Sequence, residues 1–472
     1  MRRSILGGLA DNPALPADLI SELIRFRRVP RVANRPDLTP ALVEEIIATD
    51  DSTRILALAR HGRLPGPDRL RLAAHGNPWL RRAAIRNWAA PREVFARLAA
   101  DPDVDVRADV ARNEHAPDDV RAGLLADPEP HVRAELGGYW PAAPVAVRRA
   151  LLTDPVDTVR RAACAAPPPE DLLPALLADR VTRQFVVRYA LLDHDLAVEL
   201  ATDEDDEVRL AVADHPALPP AALDLLATDR RSWIQVRIFA RPDTPEPTRA
   251  AIHAAVMADP DLLERYPRNR YVDPEVEERD TDLFMAQLEL RGLRLTWVTA
   301  NPLPYADSPY PSFRASAAAG AGLPEDAVRR LLDDPDHRVR LTMLRNAPDP
   351  VDPATAERFE REYQPDKLFG GWRPADTVTF PPETLRRFAT DPDATMRRLA
   401  SRDPDLPPEL AARLAVDPDA SVRRAIAEHP KLPIHALLGL LADDQTAFAA
   451  ARSPILPVDR MRQLIEEARA GA

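Results

Sequence analysis

An all-α fold of short helical repeats is the class that this 472-residue sequence predicts, and three observations predict it. A seven-residue phrase, Asp-Pro-x-x-x-Val-Arg or a near copy, recurs about every 26 residues. Within each interval, apolar residues are spaced four apart, as on one face of a helix. The chain holds 51 prolines against 15 glycines, and these prolines stand where helices would begin.

The phrase sets the period of the repeat. Successive arginines are 26 residues apart from Arg107 to Arg133, and again from Arg397 to Arg423. The phrase occupies residues 101–107, 127–133, 154–160, 334–340, 391–397 and 417–423, with a variant that lacks proline at 203–209 and a stretched variant at 229–237. Such a period indicates small units that cannot bury a core alone and therefore stack into an α-solenoid, with about 18 units as an upper bound.

Each unit predicts two short helices. In residues 406–430, Leu410 and Leu414 form one apolar stripe, and Val422 and Ile426 form another. Because each stripe spans a single turn, each helix is expected to be short and to depend on its neighbours. The predicted repeat is therefore a two-helix unit of about 26 residues, an α-helix paired with a short α- or 3-10 helix.

The aspartate and the arginine of the phrase have a predicted structural role. Asp417 is expected to be the N-cap of the second helix, with Pro418 at its first position. The arginine, six residues later, is expected to reach the equivalent group of the next unit and so build a charge ladder. The predicted ladder residues are Asp101, Arg107, Asp127, Arg133, Asp154, Arg160, Asp334, Arg340, Asp391, Arg397, Asp417 and Arg423. The alternative is a row of exposed arginines that binds a polyanion.

The repeat resembles that of the leucine-rich repeat variant proteins, relatives of the HEAT-like α-solenoids. The matching string, Leu-Ala-x-Asp-Pro-Asp-x-x-Val-Arg-x-Ala-x-Ala-x-x-Pro-x-Leu-Pro, lies at 414–433 and more loosely at 98–117 and 331–348. The resemblance implies a right-handed superhelix that binds partners rather than catalyses. The founding type carries an iron–sulfur cluster on an N-terminal cysteine set. Since Cys164 is the only cysteine here, no cluster and no other cofactor is predicted.

Charge and hydropathy limit the classes of function that the sequence predicts. The net charge is −12, which does not favour general nucleic-acid binding. Residues 1–100, however, hold 17 arginines against 10 acidic residues, a net charge of +7. No stretch predicts a membrane span or a signal segment, and a single cysteine argues against a disulfide framework, so a cytoplasmic protein is expected.

The chain divides into a repeat array at 1–258, an irregular segment at 259–322 and a second array at 323–472. The repeat lapses at three places, which are residues 25–35, the segment 259–322 and a loop at about 363–382. Function in arrays tends to lie where units depart from the consensus. The first lapse, at 25–35, gathers the candidate partner-binding residues Arg25, Arg27, Arg28 and Arg31. They predict either an anion contact or a cationic helix end within a degenerate unit.

The other two lapses concentrate aromatic residues, which make up only 5% of the chain. The segment 259–322 holds an acidic run at 273–282, followed by Trp297, Tyr305 and Tyr310 among prolines. These rings predict either a recognition surface or fillers of a core gap. Trp372 follows Gly370 and Gly371 and predicts either an exposed contact or a ring that packs back on the array.

The sequence carries none of the strong enzyme signatures for phosphate loops, nucleophile elbows or zinc sites. His115, His215 and His429 fall at comparable positions near prolines and are expected to cap repeats rather than bind metal. The leading hypothesis is therefore a non-enzymatic intracellular scaffold that binds a protein or peptide along the concave face of the solenoid. The alternative is nucleic-acid binding, DNA repair included, through the basic first hundred residues, where Trp79 and Trp88 lie.

Overall fold

The computed structural model describes residues 2–26, 29–60, 64–86, 90–265, 278–346, 351–363 and 372–470. These residues form helices, turns and loops and contain no strand, so the all-α prediction is confirmed. The chain divides into two compact units. Unit 1 comprises Met1–Ala143 together with Phe380–Ala472, and unit 2 comprises Pro144–Thr379.

The helices are numbered along the chain. Unit 1 begins with α1 Arg2–Ala10, α2 Ala17–Ile24, α3 Pro40–Ala48, α4 Ser52–Arg60, α5 Gly66–Leu72, α6 Pro78–Ile85, α7 Arg92–Ala99, α8 Val104–Ala111, α9 Asp118–Gly123 and α10 Pro130–Tyr139. Unit 2 contains α11 Val145–Leu152, α12 Asp157–Ala163, α13 Leu173–Ala178, α14 Arg183–Val186, α15 His194–Ala201, α16 Asp206–Ala213, α17 Pro220–Leu226, α18 Ser232–Ala240, α19 Glu246–Val256, α20 Leu262–Arg265, α21 Glu278–Gly292, α22 Thr296–Ala300, α23 Pro311–Ala318, α24 Glu325–Leu332, α25 His337–Asn346 and α26 Pro353–Glu362. Unit 1 resumes with α27 Pro382–Phe388, α28 Ala394–Leu399, α29 Pro408–Leu414, α30 Ala420–Ile426, α31 Ile434–Leu441, α32 Ala447–Arg452 and α33 Val458–Ala470. Short 3-10 helices span Pro30–Asn34, Leu124–Ala126, Glu170–Leu172, Val187–Tyr189, Leu303–Tyr305, Pro374–Asp376 and Ala400–Arg402.

The repeat of α29 and α30 shows how the sequence forms each unit. Pro408 opens α29 at its first position, where the missing N–H of proline has no partner to lose. Leu414, Val422 and Ile426 are buried in the core, whereas Leu410 is only half-buried. Since neither helix exceeds two turns, its stability comes from this shared apolar burial rather than from helix propensity.

The N-cap prediction for Asp417 is wrong by two residues. Asp419 caps α30, because its carboxylate accepts from the backbone N–H of Ser421 at 2.7 Å and also from that of Val422. Asp417 instead accepts from the backbone N–H of Asp419 at 2.9 Å, which forms a turn ahead of the helix. This turn leaves the second carboxylate oxygen of Asp417 free to bond a neighbouring repeat.

The first and last helices of the chain form one repeat of unit 1. α33 packs against α1 as a first helix packs against a second helix elsewhere, and α1 packs against α32. The second helices of unit 1 therefore follow one another in the order α28, α30, α32, α1, Pro30–Asn34, α4, α6, α8 and α10.

Hydrogen bonds and ion pairs hold this junction together. The Asn12 side chain donates to the carbonyl oxygens of Ala451 at 2.8 Å and Ser453 at 2.7 Å. Arg462 lies 2.8 Å from Asp18, an exposed pair that contributes little by itself. The buried Asn12 bonds, together with the apolar contact between α1 and α32, therefore carry most of the junction.

We expect Gly8→Ala to lower the free energy of unfolding by about 1–3 kcal/mol, the usual cost of overpacking a tight contact. A Cβ atom at Gly8 would overlap the carbonyl oxygen of Phe448 and lie 2.8 Å from the Cβ of Ala451. Gly7→Ala is the matched control in the same helix, because its Cβ would come no closer than 3.4 Å to the Phe448 ring. Urea unfolding followed by circular dichroism measures both variants. Equal midpoints for the two would contradict this close packing of α1 on α32.

None of the helices among the described residues has the length and apolar character needed to cross a lipid bilayer.

Candidate functional site

The arginine and aspartate of the phrase connect consecutive repeats. Arg107 donates to both carboxylate oxygens of Asp127, at 2.7 and 3.2 Å, and to the carbonyl oxygen of Asp101 at 2.7 Å. Such a two-pronged bond matches the planar guanidinium to the carboxylate. Ion pairs at the equivalent positions, not all of them two-pronged, join Arg81 to Asp101, Arg160 to Asp179, Arg183 to Asp203, Arg209 to Asp229, Arg314 to Asp334, Arg397 to Asp417 and Arg423 to Asp443.

These arginines are structural rather than available to a ligand. The side chains of the eight arginines so paired are only 5–21% exposed. The Arg397 guanidinium holds the pKa of Asp417 below its ordinary value. Four ladder residues remain. Arg133 and Arg340 each donate to the backbone carbonyl oxygen of the aspartate that begins the same phrase. Asp154 is buried, and the Asp391 carboxylate accepts from the backbone N–H of the residue two positions later.

The stretched phrase at 229–237 is not stretched in the structure. Gln235 takes the place of the arginine, because its side-chain amide donates to the carbonyl oxygen of Asp229 at 2.7 Å. Arg237 lies instead 3.1 Å from the carboxylate of Glu289. The six-residue spacing of the phrase is thus kept, and an amide replaces the guanidinium.

Two of the three histidines bridge repeats, as expected of capping residues. The ring Nε2 atoms of His215 and His429 lie 3.2 and 2.7 Å from the carbonyl oxygens of Ala190 and Asp403 in the preceding repeat. His115 does not share this role. The equivalent bridge is made by Asn113, whose side chain donates to Ile85 O at 2.9 Å.

Groups suited to metal binding or to nucleophilic chemistry are not gathered in the part of the chain that the structure describes. No cluster of three or more histidine, cysteine or carboxylate side chains is placed there to hold a metal ion. The Cys164 thiol is buried, and burial raises its pKa to about 11. At neutral pH this sulfur is therefore protonated.

The aromatic residues of the segment 259–322 lie in the core of unit 2. The Trp297 indole N–H donates to the carbonyl oxygen of Ala240 at 3.0 Å, and the Tyr305 ring meets the Trp297 ring edge-on at 5.2 Å. Tyr310 is buried, and its hydroxyl donates to Glu246 at 2.6 Å. Burial and this bond raise the pKa of Tyr310 to about 12.

The prediction that these rings contact a partner needs correction. Tyr310 presents no ring to a partner because it is buried, and Trp297 and Tyr305 are only half-exposed and packed on Phe313. The core-filling interpretation accounts for them, since the broken repeat needs large side chains to fill its interior. Of the acidic run, residues 273–277 lie outside the described residues.

The arginine cluster at 25–35 is largely engaged by its own unit. Arg25 is exposed and lies 3.9 Å from Glu45, whereas Arg31 bonds Asp11 and stacks 5.3 Å from the Phe448 ring. Arg35 is buried and donates to the carbonyl oxygens of Ala10 and Asn12. Arg27 and Arg28 lie outside the described residues.

Trp372, the third predicted contact, is half-buried in unit 2. The Tyr363 hydroxyl donates to the Trp372 carbonyl oxygen at 3.0 Å, and the Arg345 guanidinium lies 5.8 Å from the indole ring. Gly370 and Gly371 lie outside the described residues.

The most exposed aromatic side chains among the described residues are Tyr139, which lines a cleft in unit 1, and Trp79, whose ring stacks on an arginine of that cleft. Trp79 on α6 is 55% exposed and Tyr139 on α10 is 60% exposed. The cleft has a volume of about 570 Å³, and the residues that line it are Arg82, Ile85, Arg86, Asp109, Arg112, Asn113, Glu114, His115 and Tyr139. We call it the aromatic cleft.

A charge network fixes the side chains of the aromatic cleft. The Arg82 guanidinium lies 4.9 Å from the Trp79 ring and donates from Nε to Asp109 at 2.7 Å. Asp109 also bonds Arg112, which lies 3.7 Å from Glu135 on the next second helix. Because carboxylates hold Arg82 and Arg112, these two guanidinium groups are fixed in the cleft and their charges are largely neutralised.

The sequence identifies Trp79 only as part of the basic first hundred residues, and Tyr139 is not among the predicted contact residues. One further sequence signal is the phase of Trp79, which stands two residues before the ladder arginine Arg81. At the same phase most other repeats carry polar residues such as Asp105, His131 and Ser421, although Trp233 also stands at this phase and packs against the core of unit 2. It is the exposure of Trp79 that makes it a candidate contact residue.

The fold and these contacts define an all-α repeat protein in which the arginine and aspartate of the recurring phrase join one repeat to the next. The chain matches no protein-family model and no curated protein sequence. The resemblance to the leucine-rich repeat variant proteins therefore stays a prediction.

Proposed function

We propose that this protein is a non-enzymatic cytoplasmic scaffold, a right-handed α-solenoid that binds a protein or peptide along its concave face. The aromatic cleft carries this proposal. Tryptophan, tyrosine and arginine are the residues on which protein interfaces depend most, since each offers a large contact area together with a polar end. Trp79 and Arg82 on α6 and Tyr139 on α10 provide this combination, with α8 packed between the two helices.

The mixed charge of the aromatic cleft favours a peptide or protein over a polyanion. Asp109 and Glu114 lie among the arginines that line it. A polyanion would meet these carboxylates, whereas an extended peptide can pair its own N–H groups and side chains with both signs of charge.

The nucleic-acid alternative loses support from the placement of arginines in the first hundred residues. Arg35, Arg54 and Arg69 are buried and donate to backbone carbonyl oxygens. Arg81 is paired with Asp101. These four of the 17 arginines in residues 1–100 therefore stabilise the repeats themselves and are not available to bind phosphate.

We expect Trp79→Ala to weaken partner binding by about 30-fold or more, the effect of losing a side chain worth about 2 kcal/mol at an interface. Tagged protein is used to retain partners from cell extract, and the affinity of a retained partner is then measured by calorimetry. Leu191→Ala is the matched control, since Leu191 is an exposed apolar residue of unit 2. Unchanged partner binding by Trp79→Ala, or retention of chaperones alone by the unaltered protein, would contradict the proposal.

A further inference from the structure

Three first helices of unit 1 share an outward surface that is apolar at its centre. α31 contains no acidic residue, lysine or arginine, and its only polar side chain is that of His435. Ile434 and Leu438 lie one turn apart on its exposed side, at 41% and 39% exposure. Val416, just after α29, and Val458, at the start of α33, are exposed as well. Since grouped exposed apolar side chains mark interaction sites, we call the outward sides of α29, α31 and α33 the outer face.

The three helices of the outer face belong to consecutive repeats. α29, α31 and α33 pack against α30, α32 and α1, and these second helices follow one another in that order. The first helices therefore lie side by side as well. They are not the helices that line the aromatic cleft, which come from other repeats of unit 1.

In other repeats an ion pair links the outward sides of neighbouring first helices. Arg149 stands five residues after the proline that precedes α11 and lies 2.6 Å from Asp171, which stands two residues after the next such proline. Arg462 on α33 and Asp18 on α2 hold the same two positions and lie 2.8 Å apart. The usual outward surface is therefore charged and paired along the array.

This link is replaced between α31 and α33. Leu438 and Asp459 stand at the two equivalent positions, so that a leucine occupies the place of the arginine. Gly439 follows Leu438, and a Cβ atom at Gly439 would meet no described atom within 4 Å. The backbone of α31 is thus open to close approach by another surface, beside an exposed apolar side chain.

Charges of both signs flank this apolar centre. Glu409 and Arg413 are both exposed and lie four residues apart, hence on one side of α29. Asp459 and Gln463 hold the equivalent positions of α33 and are exposed too. On α29 the acidic residue is nearer the N-terminus of the helix and the basic residue nearer its C-terminus, which makes that side complementary to an antiparallel copy of itself.

We infer that the outer face binds a second copy of this chain, with α31 of one copy antiparallel to α31 of the other across a twofold axis. A twofold interface uses the same patch on both copies. In this arrangement Glu409 of each copy meets Arg413 of the other. A parallel arrangement would instead place Glu409 opposite Asp459 of the other copy, and such like charges repel. The apolar centre of α31 is buried between the copies.

Sedimentation velocity of the full-length protein tests the inference, and the unaltered chain is expected to form a dimer at micromolar concentration. Leu438→Arg restores the arginine of the other repeats and should weaken dimerisation by about 30-fold or more, because it places a charge at the centre of the contact. Gly439→Arg should have a similar effect by filling the open space beside α31. Both positions are exposed, so each variant should keep the helical circular dichroism of the unaltered protein.

A charge exchange on α29 tests the antiparallel direction. Glu409→Arg should weaken the dimer about tenfold, because it sets two arginines opposite each other. Adding Arg413→Glu to the same chain should return the dissociation constant to within about threefold of its original value, since the two effects are coupled. Tighter dimerisation of the Glu409→Arg single variant would indicate the parallel arrangement and overturn the antiparallel one.

Two control variants separate this inference from general effects and from the proposed scaffold function. Leu225→Arg changes an exposed leucine of α17 in unit 2, and Trp79→Ala removes the ring beside the aromatic cleft. Both should dimerise as the unaltered protein does.

The inference is overturned if the unaltered protein is a monomer at about 100 µM. It is also overturned if Leu438→Arg and Gly439→Arg both leave the dimer intact, because the contact would then lie elsewhere. A monomeric chain that captures a different protein through Leu438 would assign the outer face to another occupant and overturn it as well.

Discussion

Phe313→Ala is expected to lower the free energy of unfolding by about 3–5 kcal/mol, the range found for removing a buried aromatic ring. Phe313 is 2% exposed and lies at the centre of the aromatic group of unit 2. Its ring centre is 5.4 Å from that of Phe239, and 5.5 Å from those of Trp297 and Tyr310. Alanine would leave a cavity that these rings can fill only by moving together.

The effect should be large because the surrounding rings fix one another. Phe239 and Trp297 meet Phe313 edge-on, and the Arg249 guanidinium lies 5.1 Å from its ring. Arg249 is itself held by the carbonyl oxygens of Phe239 and Arg241. Edge-on ring pairs and the cation above the ring add to the free energy of apolar burial.

Two further variants show whether the loss comes from the ring. Phe313→Leu keeps most of the volume and should cost about 1.5 kcal/mol or less. Leu303→Ala changes an exposed apolar residue of the same segment and should alter stability by less than about 0.5 kcal/mol. Urea unfolding of the full chain measures all three variants. If Phe313→Ala costs no more than Leu303→Ala, the core-filling interpretation of this segment fails.

Asp229→Ala is expected to cost a similar amount, about 3–5 kcal/mol, because it leaves a buried guanidinium without its main partner. The Arg209 and Asp229 side chains are each only 5% exposed. Arg209 donates to Asp229 from Nε at 2.7 Å and from Nη2 at 3.0 Å. The Asp229 carboxylate raises the pKa of Arg209 above its ordinary value. Because an arginine stays protonated even without such a partner, this guanidinium remains charged when Asp229 is removed.

Asp205→Ala provides the matched control for this ladder pair. Asp205 is an exposed N-cap of α16, which carries Arg209, and its carboxylate accepts from the backbone N–H of Glu207 at 3.0 Å. Losing such a cap costs about 1 kcal/mol. Asp206, which also bonds Arg209 at 2.7 Å, is present in both variants. Thermal unfolding compares them, and an Asp229→Ala loss no greater than that of Asp205→Ala would show that the ladder contributes little.

The helices of a repeat can be predicted from the sequence because their positions depend on residues within the same unit. The spacing of Leu414, Val422 and Ile426 and the prolines before helices follow from helix geometry within a single unit. The pairing of Arg397 with Asp417 was also predicted, since identical units that stack must place identical groups side by side. The N-cap was misplaced from Asp419 to Asp417, because the sequence offers two aspartates and only the path of the turn selects between them.

The candidate sites were harder to predict because they depend on which faces are exposed. Trp297 and Tyr310 have the composition of a recognition surface, yet they fill the interior that the broken repeat leaves. Arg82, which stacks on Trp79, and Tyr139 line one cleft only because α6, α8 and α10 stack.

By itself, the sequence determined the all-α class, the repeat period and the residues that join one repeat to the next, because these depend on spacing along the chain. Only the tertiary structure decided that α33 and α1 complete one repeat, that the rings around Phe313 are interior, and that Tyr139 lines an open cleft near an exposed Trp79. The physical reason is that burial and charge neutralisation are set by neighbours distant in sequence, and a repeat pattern records only the neighbours that every unit shares.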